Sequence, residues 1–250
     1  VLVLLKGCST GVRFTEVSQD KPVFHKPIRV LLDSGKDLIS LTFSSSKIIY
    51  IDNKRTASLK KGDKLFITYV NKKVTAKLGN RILSGNSIEI FTADKKDLVS
   101  FQNKKYRGIL RLIAVNNRLS VINELPLEDY IKGVVPMEMG VAASEKRYEA
   151  LKAFTIAART YAVMNLKTRN TFDVFSDVRD QVYGGAGSER VLTNKAVNET
   201  KNLILRHNQT NATVFYHASC GGSTEDVGNV FSRGNIPYLK EINDGNPPNC

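Results

Sequence analysis

The sequence contains no tryptophan, only three cysteines and only three histidines in 250 residues. Three cysteines, at Cys8, Cys220 and Cys250, are too few for a disulfide-rich scaffold. After residue 8, no stretch reaches the roughly 18 to 20 apolar residues that a membrane-spanning helix needs. The composition, 42% hydrophobic and 24% charged, is typical of a folded globular protein and argues against disorder.

Acidic residues are also scarce relative to basic ones. The chain has 24 Asp and Glu against 37 Lys and Arg, which gives a net charge of +13. Such a surface attracts polyanions: nucleic acid, acidic lipid or an anionic wall polymer. Because neither an RNA-binding aromatic signature nor a helix-turn-helix pattern is present, we predict no nucleic-acid partner. The G-x-S-x-G, P-loop, H-E-x-x-H and G-x-G-x-x-G motifs are absent too, along with the enzyme classes they mark.

The first residues indicate export. Residues 1–5 are apolar and run through Lys6 and Gly7 into Cys8. This pattern is typical of the end of a signal peptide at a lipoprotein cleavage site, although Lys6 is unusual there. We therefore expect an extracytoplasmic protein, in the periplasm or cell envelope, with a lipid tether through Cys8. The alternative is a short buried strand that ends in a cysteine.

The order of β-prone runs, turn signals and helical periodicity along the sequence predicts an α+β fold in three parts. Residues 1–26 are a leader remnant and linker. Residues 27–105 form a β-rich module, because short β-prone runs alternate with turn signals. Residues 106–250 form a mixed α/β domain that begins with a hairpin turning at Asn116-Asn117 and is built around one long helix at 145–167. That helix region lacks Gly and Pro and has apolar residues at three- and four-residue steps.

Glu138 is the strongest candidate for a catalytic group. Its neighbours are Val134, Val135, Pro136, Met137 and Met139. A carboxyl group among apolar side chains is disfavoured as an anion, so its pKa rises, as a general acid near neutral pH requires. The alternative is an exposed glutamate at a helix start, stabilised by the helix dipole.

Lys152 and Arg159 are candidates for binding an anion. Seven residues are nearly two helical turns, so both lie on one face of the predicted helix, with Thr155 between them. Two aligned cations are suited to an anionic substrate group or to orienting a carboxylate. The alternative is an exposed basic helix face.

A histidine and two cysteines suggest a metal site. His217 and Cys220 form an H-x-x-C pair, and Cys250 is a third thiol. Imidazole and thiolate suit a structural zinc ion, although such motifs usually repeat. A Cys220–Cys250 disulfide and a Cys220 nucleophile with His217 as its base remain open as well.

Several separate blocks together resemble the stage II sporulation protein D family (SpoIID, with the related amidase enhancer LytB). The match covers roughly residues 106–244, in the family's order and spacing. The blocks are LPLEDY at 125–130, GVVPMEM at 133–139, EALKA at 149–153, AARTYA at 157–162, FDV at 172–174, QVYG at 181–184, residues 217–224, and PYL at 237–239.

The resemblance implies a lytic transglycosylase. Such enzymes cleave the MurNAc–GlcNAc bond of peptide-free glycan strands and leave a 1,6-anhydro-MurNAc end, with no soluble cofactor. It implies that Glu138 is the acid/base, that Lys152 and Arg159 bind substrate or orient Glu138, and that His217 and Cys220 belong to a zinc-associated loop. Cys250 as a further ligand is our own inference, and we place Gln181 and Tyr183 among the substrate-binding residues.

Two features depart from the family. Residues 140–148 replace a shorter link that usually contains Pro and an aromatic residue, and the β-rich module has no counterpart that we can name. The partners implied are peptidoglycan glycan strands and, for a non-catalytic alternative, a cell-wall amidase that the protein activates.

Overall fold

The computed structural model of the protein describes residues 26–92, 97–140, 144–166, 171–217, 219–231, 234 and 236–243. The predicted leader, Cys8 and Cys250 lie outside these residues. Both helices and strands are present, which confirms the α+β class. Among the described helices, none is both long and apolar enough to cross a lipid bilayer.

A seven-stranded sheet forms the centre of the described structure. Its order is β13-β1-β12-β11-β8-β3-β4, and all pairs are antiparallel except β1 with β13. The strands are β1 (Ile28–Lys36), β3 (Lys47–Ile51), β4 (Lys54–Leu59), β8 (Ser87–Thr92), β11 (Ile109–Val115), β12 (Arg118–Leu125) and β13 (Val174–Phe175).

A four-stranded antiparallel sheet packs on the central sheet. Its order is β2-β5-β6-β7, with β2 (Leu38–Thr42), β5 (Lys64–Val70), β6 (Lys73–Leu78) and β7 (Arg81–Gly85). Alternate side chains such as Leu41, Ile67 and Ala76 are buried, because successive residues of a strand point to opposite faces. Two short hairpins complete the strands: β9 (Val99–Phe101) with β10 (Lys104–Tyr106), and β14 (Arg206–His207) with β15 (Thr210–Asn211).

The β-rich region and the following region share one sheet and one core. β1, β3, β4 and β8 come before residue 105, whereas β11 and β12 follow it, and all pair within the central sheet. The predicted hairpin of β11 and β12 is confirmed. Asn116 and Asn117 both have positive φ, of 50° and 61°, as the two central residues of a type I′ hairpin turn require.

Three helices pack together after this hairpin: α1 (Leu127–Met139), α2 (Tyr148–Met164) and α3 (Val191–Glu199). α2 is the predicted long helix, and it is preceded by a 3-10 turn at Glu145–Arg147. A second 3-10 turn, Ala186–Ser188, and the short α4 (Val227–Val230) lie further along the chain. α1 contains a proline in its interior. It continues through Pro136, where burial of Val134, Val135 and Met139 offsets the missing N–H donor.

Candidate active site

Glu138 lies in the last turn of α1. The helix buries Tyr130, Ile131, Val134 and Val135 against the core, while Met137 remains 44% exposed. Between these two surfaces, the Glu138 side chain is half-buried. The position corrects the alternative of an exposed helix start: Glu138 sits at the end where the helix dipole is negative and disfavours an anion.

One backbone hydrogen bond holds the Glu138 carboxyl group. Its Oε1 accepts the N–H of Val182 at 2.7 Å. Burial raises the pKa of Glu138 above its ordinary value, and the bond from Val182 opposes that rise because it stabilises the carboxylate. A half-buried carboxyl with a raised pKa and one donor is suited to giving up a proton and taking it back.

The Val182 N–H is oriented by the buried side chains on either side of it. Gln181 is fully buried: it accepts from the Tyr130 hydroxyl at 3.2 Å and donates to the Ala158 carbonyl and the Tyr216 hydroxyl. Tyr183 is 2% exposed, and its hydroxyl donates to the Asn123 Oδ1 at 3.0 Å. Gln181 and Tyr183 both anchor this segment in the core, and the backbone amide between them donates to Glu138.

Gly133 lets this segment approach α1 closely. The Gly184 N–H donates to the Gly133 carbonyl at 3.0 Å. A Cβ added to Gly133 would lie 2.4 Å from Cε2 of the Tyr183 ring, far inside van der Waals contact. Gly185 follows with a φ of +68°, which favours glycine. The glycines of both segments therefore set the distance between Val182 and Glu138.

Tyr216 is a site residue that the sequence reasoning missed. Burial raises the pKa of its phenol, and the nearby Glu138 charge raises it further. Its ring packs edge-on against Phe154 of α2 at 5.1 Å between centroids. Its position next to His217 is the only sequence signal that could have drawn attention to it. Tyr216 thus places a neutral hydroxyl and an aromatic ring beside the carboxyl group.

Arg159 does not occupy the position expected of a substrate ligand. Its side chain is 0% exposed, and its guanidinium forms two bonds of 2.9 Å to the Glu128 carboxylate. It also donates to the carbonyls of Val197 and Leu203. This correction has a physical cause: the helix face that carries Arg159 is covered by α1 and by the end of α3.

Lys152 differs from Arg159 because its side chain is partly exposed to solvent. Its side chain is 27% exposed and pairs with Glu149 at 2.7 Å. Within the described part of the chain, no ion pair joins Glu138 to either cation. The structure therefore brings Glu138, Gln181 and Tyr183 together, but Gln181 and Tyr183 are buried supports with no exposed surface for substrate.

The described residues do not complete a metal site. His217 is exposed and Cys220 is half-buried. No group of three or more His, Cys, Asp or Glu side chains in the described ranges could hold an ion. Two of the three predicted ligands lie in those ranges and Cys250 does not, so zinc stays a prediction. A cleft of about 620 Å³ lies elsewhere, beside β2, and no predicted site residue lines it.

Replacing Gly133 with alanine tests the docking of the Val182 segment. Gly133→Ala must displace the Tyr183 ring, so we expect the free energy of unfolding to fall by about 1–3 kcal/mol in a urea titration. Gly187→Ala is the matched control, because a Cβ at Gly187 meets nothing within 4 Å. Equal stability of the two variants would contradict the close approach.

Replacing Arg159 tests its structural role. Arg159→Met leaves the Glu128 carboxylate, 18% exposed, without its partner, and we expect a loss of about 3–5 kcal/mol in unfolding free energy. Lys152→Met on the same helix breaks a pair whose acid is 83% exposed, so its cost is expected to stay below about 1 kcal/mol. Urea midpoints that coincide for wild type and Arg159→Met would rule the role out.

The residues around this site are similar to those of known proteins. Residues 115–207, which include α1, α2 and Val182, match the family described as SpoIID: Stage II sporulation protein. An uncharacterised protein of Brachyspira hyodysenteriae is 37% identical over 149 residues, which are 58% of this chain and 39% of that protein. The amidase enhancer of Bacillus subtilis is 42% identical over 118 residues, which are 47% of this chain and 16% of that protein.

The matched part of the chain therefore spans less than half the length of either relative. No solved structure matches the chain at a significant level. The family match covers the helix that carries Glu138 and the segment that donates to it. Residues 115–207 are thus similar to the SpoIID family, and the amidase enhancer shares that similarity with this chain.

Proposed function

We propose that the protein is an extracytoplasmic cell-wall enzyme, a lytic transglycosylase that cleaves MurNAc–GlcNAc bonds in peptide-free glycan strands. The observation that carries the proposal is Glu138: a half-buried carboxyl with a raised pKa, held by one backbone donor. The similarity of residues 115–207 to the SpoIID family, and of the chain to an amidase enhancer, supports a role at the cell wall. The predicted lipid tether at Cys8 remains part of the proposal.

The reaction needs only one carboxyl group. Hydrolytic glycosidases usually employ two, one as acid and one as base or nucleophile. Here the protonated Glu138 gives its proton to the glycosidic oxygen as the bond to the MurNAc anomeric carbon breaks. The MurNAc 6-hydroxyl then attacks that carbon, and the Glu138 carboxylate takes the hydroxyl proton. The 1,6-anhydro ring closes, no water is consumed, and Glu138 returns to its starting state.

Each group around Glu138 has a role in this cycle. Burial raises the pKa of the carboxyl group and so favours the protonated form that the first step needs. The Val182 N–H then stabilises the carboxylate that the step produces, because a hydrogen bond to a charged acceptor is stronger than one to a neutral acceptor. Of the two predicted substrate-binding cations, only Lys152 has a side chain exposed to solvent. We therefore assign to Lys152 the binding of the lactyl carboxylate of a peptide-free MurNAc.

A second candidate function is a non-catalytic activator of a cell-wall amidase. The name of the Bacillus subtilis relative, amidase enhancer, favours it. So does the burial of Arg159, because it removes one of the two cations assigned to substrate. In this alternative, Glu138 would support the fold near α1 and would take no part in bond cleavage.

The Glu138→Gln variant separates the two candidates. Glutamine keeps the acceptor for Val182 but cannot donate and recover a proton, so we expect cleavage of peptide-free glycan strands to fall by about 10²–10⁴-fold. Mass spectrometry of the wild-type products should find 1,6-anhydro-MurNAc ends. Glu149→Gln, at an 83% exposed position on α2, is the control and should retain activity.

Two results would reject the enzymatic proposal. One is wild-type activity in Glu138→Gln, and the other is no cleavage by the wild type while it stimulates a purified wall amidase. Reducing-end MurNAc would instead identify a hydrolase.

The pH dependence of cleavage tests the same carboxyl group. Only protonated Glu138 can donate, so activity should fall as pH rises through its pKa. Because burial raises that pKa, the fall should come at a higher pH than an ordinary glutamate, with a pKa of 4.5, would give. The rate is measured between about pH 4 and pH 9, with circular dichroism to confirm folding. A fall centred at the ordinary value would contradict the assignment.

A further inference from the structure

The four-stranded sheet leaves one broad face in solvent. We define its outer face as the side chains of β2, β5, β6 and β7 that alternate with buried ones. The four strands contain Lys64, Lys73, Lys77 and Arg81, but no Asp or Glu. Five of the outward residues of these strands are Ser or Thr. A sheet face with cations, hydroxyls and no acid is electrostatically suited to an anion.

Apolar side chains are interspersed among these polar groups. Strand pairing places Ser40, Phe66, Lys77 and Ile82 in one row across the sheet. Phe66 is 43% exposed and Ile82 is 69% exposed, and Leu38 on β2 is 56% exposed. Neighbouring strands lie about 4.8 Å apart, so this row of four residues spans roughly three strand-to-strand spacings. Such exposure of large apolar residues on a folded domain often marks an interaction surface.

Two lysines of the outer face are available to a ligand. Neither Lys64 nor Lys77 forms an ion pair with any residue in the described ranges, and both are exposed. Lys73 donates to Asn86 Oδ1 at 2.9 Å, and Thr75 and Ser84 share a hydrogen bond of 2.9 Å. The hydroxyls and lysines present donors over the whole face.

We propose that the outer face binds a polysaccharide that carries carboxylate groups. The apolar faces of pyranose rings pack on side chains such as Phe66, sugar hydroxyls bond to Ser and Thr, and carboxylates pair with Lys64 and Lys77. An acidic membrane is the less suitable occupant. Peripheral insertion needs an apolar surface separate from the charges, whereas here Lys77 lies between Phe66 and Ile82.

The edge of this sheet extends the cationic surface. β2 is an edge strand, and its outward residues also line the cleft of about 620 Å³. Lys36 and Lys105 line the same cleft. Asp33 is the one acidic residue among those that line the cleft. Its carboxylate accepts a hydrogen bond from Gln102 at 2.5 Å and forms an ion pair with Lys36 at 3.2 Å. A glycan chain that crosses the outer face would therefore meet further cations at β2.

Binding by the full chain to polygalacturonate, with neutral dextran as a second probe, tests the proposal independently of any reaction at Glu138. Lys64→Gln/Lys77→Gln should weaken binding to polygalacturonate roughly fivefold, as expected for two exposed ion contacts. Phe66→Ser should weaken it as well, with thermal unfolding measured to confirm that the variant folds. Lys195→Gln/Lys201→Gln, at exposed positions on and just after α3, is the control with the same loss of charge.

Selective loss of binding in the outer-face variants, with the control unchanged, would support the site. Equal loss in the control would overturn it, because net charge alone would then explain binding. Failure of the wild type to bind polygalacturonate would also overturn it. Binding only to phosphatidylglycerol vesicles would overturn it in favour of a membrane surface. Loss of glycan cleavage in Glu138→Gln with polygalacturonate binding unchanged would keep the two proposals separate.

Discussion

The hydrogen bond from the Val182 N–H to Glu138 is the interaction on which the candidate site depends. It joins two segments 44 residues apart in the chain, and Gly133 leaves room for the neighbouring Tyr183 ring against α1. The bond stabilises the carboxylate while burial favours the neutral acid. Both forms of the group that the proposed reaction uses, the acid and then the carboxylate, are therefore stabilised by a contact or by burial in this structure.

A second buried interaction fixes the helices around that bond. Arg159 of α2 binds the Glu128 carboxylate of α1 and the carbonyls of Val197 and Leu203. A guanidinium suits this role because its planar donors satisfy one carboxylate and several carbonyls at once. The helix that carries Glu138 is thus positioned by a charged network. Lys152 lies on the part of α2 that faces solvent.

The central sheet connects the site to the β-rich region. β12 leads directly into α1, and its neighbours β1, β11 and β8 bring the β-rich region into the same core. The four-stranded sheet packs one face on this core and leaves the other in solvent. The proposed acid/base Glu138 and the proposed polysaccharide-binding outer face therefore belong to elements that pack on one shared core.

The sequence by itself determined the α+β class, the hairpin at Asn116-Asn117, the position of α2 and the choice of Glu138. These depend on short-range patterns, such as turn residues and periodic apolar positions, and on motif blocks. Only the tertiary structure decided that Arg159, Gln181 and Tyr183 are buried supports. It also decided that the Val182 N–H donates to Glu138 and that Tyr216 lies near enough to feel its charge. The physical reason is that burial and backbone hydrogen bonds arise from segments distant in the chain, and helical spacing shows which residues share a face but not what covers it.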